Sequence, residues 1–223
     1  MKQTSVLTFK QDCRRCSRLA GFLDQVRAEH PVYHALPVSS FGEIGGNFLI
    51  VGLAPGMHGA NRTGRPFTGD FAGNLLYGSL HKFGFASSAD PLSEAGDANL
   101  KLKLQNCRIT NAVRCLPPQN KPEPVEIRTC NGYVSDELAL LPKGSAILAL
   151  GTIAHQAVMM ALQLRKSEFN FAHGAQHALP NGLTLFDSYH CSRYNTNTKR
   201  LTTAMFEEVI GNIAKYLELK HIE

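Results

Sequence analysis

Three short runs of almost unbroken apolar residues constrain this chain more than any other feature. They are Asn47–Leu53 (NFLIVGL), Ala146–Leu150 (AILAL) and Leu183–Asp187 (LTLFD). A strand that is apolar on both faces has to be covered on both, so these runs predict the interior of a sheet. Each leads into a loop and then toward helical sequence: Ala54-Pro55-Gly56 after the first, Gly151 and IAHQAVMMALQL after the second, SYHCSRYN after the third. That repetition predicts a mostly parallel sheet with helices packed on each side. A more polar run, Arg108–Val113 (RITNAV), supplies a fourth strand. The expected fold is therefore α/β, a three-layer α/β/α arrangement around a four-stranded sheet. Function is expected at the carboxyl ends of its strands.

The helical stretches carry stripes that such a sheet could bury. Leu76, Leu80 and Phe83 fall at i, i+4 and i+7, and Phe206, Ile210, Ile213 and Leu217 form a similar stripe near the C-terminus. Residues Ser87–Asn99 read as a polar loop within one core rather than a linker, and no internal repeat is visible. Residues 1–223 are thus expected to form one domain, an ordinary length for a single core. An apolar share of 43% with 18% charged residues excludes wholesale disorder. No apolar run reaches the roughly 18 residues a membrane helix needs. The opening MKQTSVLTFKQDC lacks the apolar stretch of a signal peptide, so a cytoplasmic protein with no membrane partner is expected. A net charge of +5 adds a mild bias toward a polyanionic partner.

In a reducing compartment six cysteines point toward metal rather than disulfides. Cys13 and Cys16 form CRRC, and Cys115 and Cys130 follow much later around PPQNKPEP. Four thiolates so spaced can close a zinc site or hold an iron–sulfur cluster, and the spacing does not choose between them. Four unrelated thiols would look the same. Cys107 and Cys191 are left over, and Cys107 reads as a small core residue.

Two loops carry residues suited to chemistry. Gly52–Asp70 (GLAPGMHGANRTGRPFTGD) follows a buried strand and is dense in glycine, which lets backbone N–H groups approach an anion or a flat ring. It is neither a Walker loop nor a GxGxxG fingerprint, which removes the feature a nucleotide-dependent oxidoreductase would need. Asp70 stands where it would cap a helix over Phe71–Phe83. His190 follows the third strand and reads equally as a site residue or an ordinary loop histidine. Around it Ser192, Arg193, Asn195, Thr196, Asn197, Thr198, Lys199 and Arg200 could bind phosphates, as a solvated polar loop could. His155, His173 and His177 attract no further ligands in the sequence and read as surface or helix residues.

Taken together, CRRC, GLAPGMHGANRTGRPFTGD, ITNAVRCLPPQNKP with Cys130 beyond it, and YHCSRYNTNTKRLT resemble the uracil-DNA glycosylase superfamily. Within it the resemblance is to the iron–sulfur family 5, or type b, and it spans most of the chain. It implies a monomeric, monofunctional glycosylase that hydrolytically excises uracil from DNA, with hypoxanthine or other deaminated bases as further candidate substrates. Its partner would be damaged, uracil-containing DNA. Cys13, Cys16, Cys115 and Cys130 would hold a [4Fe–4S] cluster. Leu53, Ala54, Phe67 and Asn111 would bind the base, and Asp70 and His190 would be catalytic. Arg193, Tyr194, Lys199 and Arg200 would contact DNA. Gly52-Leu53-Ala54-Pro55 lacks the acid that other branches carry there, and the resemblance gives that work to Asp70. No lysine stands in the matching motifs, so no Schiff-base step is implied. The chain departs from the family's pattern at Cys191, where proline is frequent, and at Gly56, where alanine is common. The competing reading is a catalytically silent DNA-binding module with zinc or a cluster.

Overall fold

The computed structural model describes residues 9–92 and 102–220. Of the loop expected over Ser87–Asn99, residues 93–99 lie outside that range, as does the start of the MKQTSVLTFKQDC segment. The chain runs through α1 (Ser17–Glu29), β1 (Phe41–Gly42), β2 (Phe48–Gly52), α2 (Ala60–Thr63), α3 (Phe71–Lys82) and β3 (Cys107–Asn111). It continues through α4 (Pro124–Ala139), β4 (Ala146–Leu150), α5 (Thr152–Ala161), β5 (Gln176–Ala178), β6 (Thr184–Ser188), α6 (Arg193–Asn197) and α7 (Thr203–Lys220).

The strands lie in the order β1-β3-β2-β4-β6-β5. Its four inner strands, β3, β2, β4 and β6, are parallel and correspond to the three apolar runs and the more polar fourth one. The sheet is nevertheless wider than four strands. Short β1 adds to β3 and short β5 to β6, both antiparallel. These edges were illegible because each is only partly buried and has no apolar run: β5 reads Gln176-His177-Ala178. Only the partner strand's hydrogen bonds make it a strand.

Alternation along the inner strands splits the core into two layers. Phe48, Ile50, Leu148 and Phe186 face α3 and α7, meeting Leu76, Leu80, Phe206, Ile210 and Ile213. Leu49, Val51, Ile147 and Leu185 face α4 and α5, meeting Val134, Leu138, Val158 and Met159. The expected stripes are therefore the faces that cover the sheet. A buried charge network ties α4 to β3: Glu137 accepts from Arg108, Arg114 and Ser40. Burial pushes the Glu137 pKa up, but the hydrogen bonds from Arg108 and Ser40 and the two guanidinium charges outweigh it and hold the carboxyl below its usual range. A second ion pair ties α1 to α4, Arg18 reaching buried Glu126 at 2.7 Å.

Candidate active site

A cavity of about 590 Å³ opens at the carboxyl ends of β2, β3 and β6, where the strand order switches direction beside β2. Leu53, Ala54, Phe67, Asp70, Asn111 and His190 all line it. Parallel pairing sets Asn111 opposite Gly52. Beyond that pair the two strands peel into loops that remain joined, with Ala112 N–H donating to Gly52 O and Val113 N–H to Leu53 O. Gly52 has to be glycine, since a Cβ there would lie 2.4 Å from Asn111 Oδ1 and 2.7 Å from the Phe67 ring. Asn111 is 4% exposed, and its carboxamide oxygen has no hydrogen-bond partner among the described residues. Such an acceptor is costly to leave empty-handed, by about 1–3 kcal/mol, unless a ligand satisfies it.

Phe67 reaches the cavity from the glycine-rich loop with a left-handed φ of 52°, an uncommon conformation for a bulky residue. Neighbours fix it there. Tyr77 Oη donates to Pro66 O at 2.9 Å, and the Phe67 carbonyl presses on α3 so closely that only glycine fits at position 73. The Phe67 ring lies roughly parallel to the His190 imidazole, with centroids 6.0 Å apart.

Asp70 caps α3 as its position predicts: Oδ1 accepts from Gly73 N–H at 3.1 Å. The cap leaves Oδ2 facing the loop, where a Cβ on Gly59 would come within 2.3 Å and one on Gly56 within 3.2 Å. Two of the loop's five glycines thus make room for this carboxylate. Burial raises the Asp70 pKa, against the opposing pull of the Gly73 and Ala72 amides. His190 sits on the turn after β6, its carbonyl held by Asn195 Nδ2 at 2.8 Å. Burial lowers its pKa to about 4, so the imidazole is neutral at physiological pH. The neighbouring Cys191 is wholly buried in the core, which seats the turn without a proline.

The cationic loop is only partly gathered at the cavity. Arg193, at the start of α6, lines it, and its guanidinium lies 5.5 Å from the centre of the Phe71 ring. Tyr194 is 72% exposed beside it but does not line the cavity. Lys199 and Arg200 are exposed beyond the end of α6, with Arg200 stacked over Tyr189. His58, Phe71 and Asn120 also line the cavity and were missed, and Ser192, read as a possible phosphate contact, lines it too. His58 and Phe71 belong to, or directly follow, the glycine-rich motif and could have been noticed. Asn120 comes from the loop between β3 and α4, which nothing in the sequence directs to this place.

Cys13, Cys16, Cys115 and Cys130 converge on one small apolar cavity shared with Phe9, Leu19, Val113 and Tyr133. Their thiols interact electrostatically with one another, and burial pushes those of Cys115 and Cys130 up, the latter to about 11. Two donors face the sulfurs: Arg114 N–H lies 3.4 Å from Cys130 Sγ, and Tyr133 Oη lies 3.7 Å from Cys13 Sγ. An all-sulfur donor set with N–H and O–H donors in an apolar shell suits an iron–sulfur cluster or zinc.

The histidines read as surface or helix residues need correction. His155 is on a helix, α5, but is buried, with Nδ1 2.8 Å from fully buried Asp187 and Nε2 2.9 Å from Phe169 O. Half-buried His177 on β5 reaches Asp187 from the other side at 3.3 Å. The three side chains form a compact cluster of potential ligand atoms. Both ring nitrogens of His155 face acceptors, an arrangement that favours the protonated ring. Burial pulls its pKa down, but the Asp187 hydrogen bond and charge prevail and raise it. The cluster escaped notice because helix, edge strand and inner strand meet there only in three dimensions.

The family model of the uracil DNA glycosylase superfamily matches residues 39–214. The chain is 47% identical over 203 residues to a type-5 uracil-DNA glycosylase of Thermus thermophilus, covering 89% of this chain and 90% of that protein. It is 39% identical over 212 residues to one of Mycobacterium tuberculosis, covering 91% and 77%. A third type-5 uracil-DNA glycosylase, of Pyrobaculum aerophilum, is 35% identical over 208 residues, covering 91% and 88%.

Proposed function

Because the chain belongs to the uracil-DNA glycosylase superfamily, and within it to the type-5 enzymes, we propose that it hydrolyses the N-glycosidic bond of deoxyuridine in DNA, opening base-excision repair. One observation carries the mechanism: a carboxylate, a neutral imidazole, an aromatic ring and an unpartnered carboxamide oxygen line a single cavity. A base inside a duplex must be rotated out before its glycosidic bond can be reached. Phe67 then stacks on the extruded ring, and Asn111 reads its amide edge, the carboxamide oxygen accepting the uracil imide N–H. Leu53 and Ala54 shape the wall.

Cleavage leaves negative charge on the departing base and positive charge on the sugar. Neutral His190 donates a hydrogen bond to the leaving base, which stabilises its charge without the cost of burying an imidazolium. Asp70 stabilises the sugar cation through Oδ2 and orients the attacking water, while Oδ1 keeps the cap. The glycosylase is monofunctional on this reading, and hypoxanthine or other deaminated bases remain candidates for the same pocket. Arg193, Tyr194, Lys199 and Arg200 contact the DNA around it.

Cys13, Cys16, Cys115 and Cys130 are the residues to hold a [4Fe–4S] cluster. When bound, the cluster would supply a cross-link between the N-terminal segment and the loop after β3 that carries Asn111. The protein is read as a cytoplasmic, single-domain monomer, and none of its described helices is long and apolar enough to cross a membrane. Incubating the protein with a labelled uracil-containing duplex and cleaving abasic sites with alkali tests the reading. Strand scission at the uracil is expected, and an intact strand at high enzyme concentration would refute it. A panel of oligonucleotides with one lesion each then fixes the substrate range.

A further inference from the structure

Beside the proposed base pocket lies a second concavity of about 520 Å³, between α3 and the segment joining α6 to α7. Phe71 lines both. Phe71 is 37% exposed on the first turn of α3, directly after Asp70, so part of this aromatic residue meets solvent beside the site. Arg193 pins that ring by a cation–π contact and places a positive charge at the junction of the two hollows. Asn74, Thr196, Thr202 and Thr203 also line the second hollow, with the Thr196 hydroxyl donating to the Ser192 and Arg193 carbonyls and that of Thr202 accepting from Met205 N–H. Its one carboxylate, Glu207, is ion-paired with Lys82 at 2.7 Å and therefore opposes a phosphate only weakly.

We infer that this second hollow is a nucleotide subsite: it takes the residue adjacent to the extruded one, whose base stacks on Phe71. The inference rests on the glycosylase reading of the neighbouring pocket. Two features favour this occupant. The hollow adjoins the pocket across a shared side chain, and a DNA strand is continuous through its backbone, so the next nucleotide is the group the substrate brings there. Extruding one base also strips its neighbour of a stacking partner. An exposed aromatic ring with polar hydroxyl and amide groups around it replaces that partner and contacts sugar and phosphate, without choosing among bases.

The test is a cycle between Phe71 and the neighbouring base. Wild-type protein and Phe71→Ala are assayed on a uracil-containing oligonucleotide and on versions in which the base 5′ or 3′ of the uracil is replaced by a stable abasic residue. Removing the base on one side should slow wild-type kcat/KM by roughly five- to a hundredfold, the range expected for one base–aromatic stack. Phe71→Ala should lose a similar factor on the ordinary oligonucleotide and nothing more on that abasic version, and Phe71→Tyr should restore both activity and dependence. Unchanged melting of Phe71→Ala, expected of an exposed side chain, separates this loss from misfolding. Independent, multiplying losses on both sides, or full activity of Phe71→Ala, would overturn the inference. Wild-type protein that leaves the ordinary oligonucleotide intact would instead overturn the glycosylase reading.

Discussion

Replacing Asp70 by asparagine separates two tasks that one carboxylate performs here. As a cap, Asp70 uses Oδ1 to accept from Gly73 N–H at 3.1 Å. Asparagine keeps that oxygen and caps about as well, whereas alanine loses about 1 kcal/mol, which lowers Tm by roughly 2–4 °C in a chain of this size. Ionisation adds a contribution of definite sign. Burial raises the Asp70 pKa on folding, so between its ordinary and raised values the folded protein keeps a proton that the unfolded chain has released. Stability from this group therefore falls as pH rises through that window, and at neutral pH the buried charge is a cost. Asp70→Asn removes the charge, so it should melt no lower than wild type at pH 7. Catalysis should respond in the opposite sense. A general acid–base group contributes about 100- to 10,000-fold, or about 3–5 kcal/mol of barrier. Single-turnover excision from a uracil-containing duplex measures the rate, with calorimetry and a binding assay run in parallel. A variant that folds, binds DNA and still cleaves within about threefold of wild type would refute the assignment and leave Asp70 as a cap alone.

His190→Ala should slow the same step by several hundredfold, because one donor to a developing negative charge is worth roughly 3–4 kcal/mol; a change confined to KM would contradict that role. The pH profile should fall on the acid side as Asp70 takes up a proton, above the usual carboxylate pKa. It should show no gain from imidazolium formation, since the His190 pKa lies near 4. A rate that climbs as pH drops from 7 to 5 would make His190 an acid instead. Protein purified anaerobically should be yellow-brown with about four irons per chain. Cys115→Ser should lose both iron and thermal stability, while stoichiometric zinc without iron would count against the cluster. Neutralising Lys199 or Arg200 should flatten the slope of log affinity against log salt by about one for each lost phosphate contact; an unchanged slope would assign those contacts elsewhere.

Much of this molecule is written locally. The apolar runs at 48–52, 146–150 and 184–188 became inner strands because a strand buried on both faces advertises itself residue by residue, and the more polar run at 107–111 completed them. The stripes on α3 and α7 did so through helical periodicity, and Asp70 announced its cap by standing one residue ahead of the helix. His190 was singled out because it follows one of those strands, where a parallel sheet places its ligands, whereas Leu53, Ala54 and Asn111 came from the family resemblance. The tertiary structure decided what depends on residues far apart in the chain. Cys13 and Cys16 reach Cys115 and Cys130 only because α1 packs against the loop after β3. Edge strands β1 and β5 exist only through their partners' backbone groups. The left-handed turn at Phe67, the room that Gly56 and Gly59 leave for Asp70, and the buried meeting of His155 with Asp187 are facts of close packing. Periodicity and caps report a residue's own neighbourhood, whereas register, burial and desolvation are set by whatever the rest of the chain brings beside it.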